Sequence, residues 1–290
     1  MKNKPLVSIV IPSYNHKKFI GDCINSVIQQ SYENIELIII DDGSEDGSLI
    51  EIEKYIEVCS KRFVRFEFIK RENKGLARTL NESLGWCKGK YYAAVASDDI
   101  ILKNKVKNQV SFMERNNDTV AVFGNVISID EAGKKIETKK NKSRFYSFQD
   151  VILHNHYLPA PTQMIRTSTL KETGGYYPDI LIEDWYMWLK ISEYGNIYFM
   201  EDIFSMYRCH ENNTSKKVKL MHESRFFILD LYKGYEMYNE AKKNIYLVGL
   251  CERRNKAKKI KFLLSIFGSD YKLAVDITLM KAKKIISRLI

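Results

Sequence analysis

Short apolar runs rich in β-branched residues alternate with stretches of helical periodicity through the first third of the chain. Leu6–Ile11 (LVSIVI) and Glu36–Ile40 (ELIII) are bounded by turn residues, the pattern of strands buried on both faces. Between them, Phe19, Ile20, Cys23, Ile24, Val27 and Ile28 recur at helical spacing within Lys17–Gln30. A second helix is predicted over about Gly47–Val58, before a strand at Val64–Ile69. A third is predicted over about Gly75–Trp86, before a strand at Tyr91–Ala96. Such alternation predicts βαβ units and an α/β fold with a Rossmann-like, mostly parallel sheet flanked by helices. Farther on the pattern predicts a helix at Lys103–Arg115, a strand at Val120–Ile127 and a Lys-rich mobile loop over Asp130–Arg144. A short strand near Gln163–Arg166, a helix from about Asp184 to Tyr194, and two strands at Ile197–Met200 and Ile203–Tyr207 complete the set.

In open α/β sheets ligands bind at the carboxyl ends of the strands. Polar clusters stand there: Pro12-Ser13-Tyr14-Asn15, Asp41-Asp42-Gly43-Ser44 and Ser97-Asp98-Asp99. Two acidic pairs are costly to hold close together without a cation. No GxGxxG follows a strand, which disfavours a dinucleotide site. Taken singly, the carboxylates leave their roles open. Asp41 and Asp42 also suit an Asx turn, Asp98 or Asp99 a cap for the helix near Lys103, and Asp184 a cap for its own helix. Trp185 and Trp188, three apart, suit either a core or a sugar-stacking platform.

Charge divides the chain more sharply than hydropathy does. Residues 216–290 hold 18 Lys+Arg against 7 Asp+Glu, whereas residues 1–215 hold 28 against 29, near balance. All five prolines precede residue 179. These shifts place a boundary near Ser215, between a catalytic domain of 1–215 and a basic helical extension of 216–290. Because the positive excess is confined to the tail and no helix-turn-helix, RRM or zinc signature occurs, no nucleic-acid partner is expected. The tail mixes Ile260, Phe262, Leu263, Leu264, Ile266 and Phe267 with Arg253, Arg254 and the Lys256–Lys261 run. Leu273, Ile277, Met280 and Ile285 repeat the pattern amid Lys281, Lys283, Lys284 and Arg288. Such helices suit an anionic membrane surface, packing on the catalytic domain, or a homodimer interface. No run of about 18 apolar residues occurs, and the N-terminal run is too short for a signal peptide. The expected location is cytoplasmic, peripheral on the inner face of the membrane. Five cysteines without a CxxC spacing exclude a disulfide framework or structural zinc and imply buried free thiols.

Five segments occur in a telling order: SIVIPSYNH, ELIIIDDGSEDGS, ENKGLARTLNESLGWCKGKYYAAVASDD, GGYYPDILIEDWYMWL and MYRCHENNTS. Together, over about Val7–Ser215, they resemble family 2 glycosyltransferases of the GT-A fold, many of which build bacterial surface polysaccharides. The resemblance implies a UDP-sugar donor, Mn²⁺ or Mg²⁺ as cofactor, and a lipid-linked or oligosaccharide acceptor. It implies inverting transfer in O-antigen, capsule or related glycan synthesis, with an undecaprenyl-diphosphate-linked acceptor. Residue by residue, it implies Asp99 as metal ligand with His210 beside the metal or diphosphate. Asp98, Asp42, Pro12, Ser13, Tyr14, Arg78 and Arg208 are implied on the donor side. It implies Asp184 as the general base, with Glu183 and Trp185 toward the acceptor. Two rivals remain at this point. A metal-dependent nucleotidyltransferase also uses paired Asp but usually needs a Gly-rich basic loop after its first strand, which Pro12–His16 is not. A basic nucleic-acid-binding protein would lack UDP binding.

Overall fold

The computed structural model describes residues 4–253, 255–269, 271 and 274–279. Strands β1 (Val7–Ser13), β2 (Ile35–Asp42) and β3 (Arg65–Arg71) pair in parallel, and β4 (Tyr91–Ala94) lies parallel to β1 on its other side. Every residue of β2 is buried, which explains a continuous apolar run in place of an alternation. Helices α1 (Ile20–Ile28), α2 (Ser48–Glu53), α3 (Ile56–Arg62) and α4 (Leu76–Trp86) provide the crossovers. Ile20, Cys23, Ile24 and Val27 of α1 pack with Ile9, Ile11, Leu37, Ile39 and Ile52 in the main core. Each aliphatic side chain so buried contributes about 1.5–3 kcal/mol.

After Asp99 come β5 (Ile100–Ile101), α5 (Lys105–Met113) and the long β6 (Thr119–Ile129). Then follow β7 (Lys135–Thr138), β8 (Arg144–Tyr146), α6 (Phe148–Ile152), β9 (Met164–Arg166) and α7 (Thr167–Glu172). The helix α8 (Glu183–Ser192) leads into β10 (Asn196–Arg208). The sheet runs β3-β2-β1-β4-β9-β6-β10-β5, with β7 on β6 and β8 on β10. Its first four strands β3-β2-β1-β4 are all parallel, and β9 runs antiparallel to both β4 and β6.

Three expectations need correction. The helix expected over 47–58 is two helices, α2 and α3, broken at Lys54-Tyr55, where the Tyr55 hydroxyl accepts from Asn25 Nδ2 at 3.0 Å. The loop expected at 130–144 contains β7, antiparallel to β6, and the start of β8, antiparallel to β10. Most residues of β7 are exposed, so main-chain pairing alone defines it and no apolar period marks it. The two strands expected between Ile197 and Tyr207 are one, β10, with register shifts between Phe199 and Ile203 and between Ile203 and Ser205 that absorb the polar Glu201-Asp202.

The chain divides into two compact units, Met1–Phe148 with Tyr157–Glu211, and Gln149–His156 with Asn212–Ile290. The second contains α9 (Val218–Asp230), α10 (Tyr238–Glu252) and α11 (Lys256–Ser269). Arg225 of α9 bonds both carboxylate oxygens of Glu252 at 2.8 and 2.6 Å, and Asn244 Nδ2 donates to the Leu153 carbonyl at 2.9 Å. Ile266 packs with Leu247 and Leu250, while Phe262 meets the edge of His222 and lies under the Arg253 guanidinium. Ile260 and Leu264 stay exposed. The apolar patch read from the sequence is thus divided between packing and solvent. Arg254, Leu273, Met280, Lys281, Lys283, Lys284, Ile285 and Arg288 lie outside the described residues. All five cysteines are free; Cys23, Cys59 and Cys87 are buried, but Cys209 is half-buried and Cys251 exposed.

Lys105 is fully buried, with Nζ donating to the Gln163 carbonyl at 3.0 Å, and burial pulls its ammonium down to about 7. Between pH 7 and 10.5 the unfolded chain therefore holds one proton more at this site than the native chain. Stability at this site is least below pH 7 and rises with pH, by about 1.4 kcal/mol per unit. Denaturant midpoints of wild type and Lys105→Met across this range should converge or cross with that slope. Parallel curves would exclude a neutral native Lys105.

Candidate active site

Parallel pairing brings the carboxyl ends of β1, β2 and β4 to one edge of the sheet. The end of β10 reaches the same edge because β10 runs antiparallel to β5, which directly follows Asp99. The loops after β1 and β2 are tied together there. Asn15, in the left-handed region at φ 53°, donates its N–H to Ser44 Oγ and accepts from the Glu45 N–H, each at 2.9 Å. The His16 N–H donates to Ser48 Oγ at 3.0 Å.

On this frame His16, Asp98 and His210 bring one ligand atom each within 4.8 Å of one another. His210 Nε2 lies 2.8 Å from Asp98 Oδ2, and His16 Nδ1 lies 2.8 Å from Ser97 Oγ. Burial lowers the His16 imidazole below its ordinary value, against the pull of Asp98, and so favours the neutral, metal-binding form. Two imidazoles and a carboxylate fit a divalent cation, with the nitrogen donors favouring a transition ion such as Mn²⁺ over Mg²⁺.

Asp99, which the family resemblance implies as the ligand, is not grouped with these histidines and is held by the main chain of β10. It is 1% exposed, and its Oδ1 accepts the Arg208 N–H at 2.8 Å. Burial first, and then Asp98, raise its carboxyl well above the usual range, opposed by Arg208. Asp98, and not Asp99, is the carboxylate grouped with His16 and His210. The Arg208 side chain, 2% exposed, is engaged by the protein: Nε donates to the Asp98 carbonyl, Nη1 to that of Glu131 and Nη2 to Asp22 Oδ2, each at 2.9 Å. Its guanidinium stands 4.8 Å over the Phe19 ring. It braces the acidic turn.

Ser13, at the end of β1, is fully buried with no hydrogen-bond partner for Oγ among the described residues. Pro12 is half-buried beside it, and Tyr14 is 49% exposed. Asp41 forms the Asx turn, accepting from Ser44 N at 2.8 Å and Ser44 Oγ at 2.7 Å. Asp42 does not: it pairs with Arg71 and accepts the N–H groups of Lys74 and Gly75 at 2.8 and 2.9 Å, which fixes the start of α4. A glycine is required at Gly43, where φ is 79° and a Cβ would lie 2.7 Å from the Asn73 nitrogen. Arg78 is engaged with Asp179, through Nε to Oδ1 at 3.0 Å and Nη2 to Oδ2 at 2.6 Å.

Glu183 and Asp184 begin α8, both half-buried. Asp184 Oδ1 accepts the Trp185 N–H at 2.6 Å. Burial, then Asp184, push the Glu183 carboxyl up to about 8, so it holds a proton at neutral pH. Trp185 is 2% exposed, which leaves no ring face for a saccharide; like Trp188, edge-on to Phe123 at 5.4 Å, it is core. The resemblance brought no role to His16, although it stands in the quoted segment SIVIPSYNH.

A model of the family described as "Glycosyl transferase family 2" matches residues 8–174. An uncharacterized glycosyltransferase of Haemophilus influenzae is 31% identical over 229 residues, 74% of this chain and 69% of its own length. One from Rickettsia felis is 31% identical over 224 residues, 74% of this chain, but the chain spans only 36% of its length. Among solved structures, residues 1–349 of S. aureus TarS in complex with UDP-GlcNAc align with a TM-score of 0.65 at 17% identity, covering 94% of this chain and 79% of that one. The mannosyltransferase PcManGT of Pyrobaculum calidifontis, in complex with GDP-Man and Mn²⁺, aligns at 0.66 with 14% identity, covering 98% and 81%. These two share the fold.

Proposed function

This chain belongs to glycosyl transferase family 2 and is a glycosyltransferase; we propose that it transfers one sugar from a UDP-sugar to a saccharide hydroxyl, with inversion. The observation that carries the reading is the convergence of His16, Asp98 and His210 at the strand edge that also holds Ser13 and Asp42. Ser13, Tyr14 and Pro12 line the base pocket, where the unpartnered Ser13 hydroxyl meets the uracil and Asp42 sets the adjacent start of α4. Asp98, His210 and His16 hold a divalent cation, Mn²⁺ in preference to Mg²⁺. Bound there, the cation neutralises charge on the departing diphosphate. Asp184 takes the proton of the attacking hydroxyl from the first turn of α8. Glu183, protonated at neutral pH, donates a hydrogen bond toward the acceptor.

The direct test is incubation with a panel of UDP-sugars and Mn²⁺. Release of UDP, by hydrolysis or transfer, is the expected result. No release of UDP from any UDP-sugar, with pyrophosphate released instead from UTP and a sugar 1-phosphate, would make the protein a nucleotidyltransferase and sink the reading.

The acceptor in this reading is undecaprenyl-diphosphate-linked, in O-antigen, capsule or a related surface polysaccharide, and the enzyme works peripherally on an anionic cytoplasmic membrane face. Among the described residues no helix is long and apolar enough to cross a membrane. What supports surface attachment is α11, where Ile260 and Leu264 are exposed amid Lys256, Lys258, Lys259 and Lys261. Four lysines at roughly 1 kcal/mol each suffice for salt-sensitive attachment. Full-length protein should float with anionic but not neutral liposomes, and changing these four lysines to Gln should release it. Flotation unchanged by the substitutions would reject the attachment, and concentration-dependent self-association without flotation would make the face a homodimer interface.

A further inference from the structure

Helix α4 carries two side chains, one turn apart, that both hold the segment leading into α8. Asn81 grips Tyr176 through its main chain at both ends: Nδ2 donates to the Tyr176 carbonyl and Oδ1 accepts the Tyr176 N–H, each at 2.7 Å. The fit is close enough to need glycine next door, because at Gly175, φ 87°, a Cβ would lie 2.5 Å from Asn81 Oδ1. Arg78 makes the second contact, a two-point ion pair with Asp179. Asp179 is itself in the left-handed region at φ 63°, a conformation a non-glycine residue holds only when its surroundings impose it.

Both ends of this connection touch residues with assigned roles. At its N-terminus α4 is fixed by Asp42, through the N–H groups of Lys74 and Gly75. At the other end Tyr176 is buried, and its hydroxyl is raised by burial, then Tyr92, then Glu183 and Asp184, so it lies within their field. Only three residues separate Asp179 from Glu183. The exposed Arg78–Asp179 pair is screened by solvent and opens readily. The Asn81 amide grip, with both bonds part-buried, is the firmer of the two.

We propose that Asn81 and Arg78 form a two-point clamp through which occupation of the donor site beside Asp42 sets the position of Glu183 and Asp184. Asn81 is a positioning residue: it touches no substrate and acts through Tyr176. The inference rests on the donor reading above and assigns that site a coupling to the acceptor side.

Hydrogen exchange of segments covering residues 74–80 and 174–186 tests this, with and without UDP plus Mn²⁺, in wild type, Asn81→Ala and Arg78→Ala. In wild type the nucleotide should slow exchange in both segments. In Asn81→Ala, the loss of two hydrogen bonds should speed exchange of 174–186 about tenfold without nucleotide. UDP should still bind and slow 74–80, while its effect on 174–186 disappears. Arg78→Ala, at an exposed site where folding is not threatened, should weaken the response at 174–186 at saturating UDP. If wild type binds UDP but 174–186 does not respond, or if both variants respond as wild type does, the clamp is refuted and the donor reading stands. If wild type binds no UDP, the donor reading fails and takes the clamp with it.

Discussion

Asp98→Ala should lose Mn²⁺-dependent binding of UDP and reduce sugar transfer by about a thousandfold, the scale of several kcal/mol of charge stabilisation at a leaving group. The cause is local. Asp98 is the carboxylate that approaches both His210 and His16, and no other His, Cys, Asp or Glu is grouped with them among the described residues. Asp99→Asn supplies the contrast. An Asn side chain still accepts the Arg208 N–H through its carbonyl oxygen, and removing the charge relieves the repulsion between neighbouring carboxylates. Its transfer rate should fall less than tenfold, with the Mn²⁺-induced rise in melting temperature retained. Chelation by EDTA should silence wild type, and Mn²⁺ should restore it more fully than Mg²⁺ because two of the three donors are imidazoles. Full activity after exhaustive chelation, or a larger loss in Asp99→Asn than in Asp98→Ala, would overturn the assignment.

The contrast between these two neighbours marks where the sequence stops being readable. The βαβ half of the fold was legible because its strands are buried on both faces and its helices carry an apolar stripe, so each element announces itself by composition. The strand ends were therefore placed, and with them Ser13, Asp42, Asp98 and Asp99. Which of two adjacent carboxylates is tied to the main chain is decided elsewhere, where β10, paired with β5, brings the Arg208 N–H to Asp99 from more than a hundred residues later. That pairing also engages Arg208 with the Asp98 and Glu131 carbonyls, a buried bracket that an isolated Tyr-Arg-Cys-His segment does not reveal. Strand β7 was missed for the opposite reason: main-chain pairing alone holds an exposed polar segment. The grouping of Gln149–His156 with the C-terminal helices has no compositional sign at all. It rests on contacts such as the Asn244–Leu153 hydrogen bond.

Asp184→Asn should lower turnover by at least about a hundredfold, the lower range for removing a general base, while leaving UDP affinity nearly unchanged. The substitution separates two roles that coincide at this position. Asp184 is not the N-cap, a position Ile182 takes; within the first turn of α8 its Oδ1 accepts the Trp185 N–H, and an Asn side chain can accept the same bond, so α8 should keep its start and its melting temperature. As a base, Asp184 must take a proton, which an amide does not do. Glu183 cannot substitute, because its carboxyl is pushed up to about 8 by burial and by Asp184 and so already carries a proton at neutral pH. Removing the charge at Asp184 takes away one of the two causes of that shift, so in Asp184→Asn the Glu183 value should fall. Residual activity in the variant should accordingly rise with pH at a lower midpoint than about 8, as Glu183 begins to ionise and serve as a poor base from the wrong position. Undiminished turnover in Asp184→Asn would leave Asp184 only a structural role in the first turn of α8. A hundredfold loss accompanied by an equal loss of UDP affinity would assign it to donor binding instead.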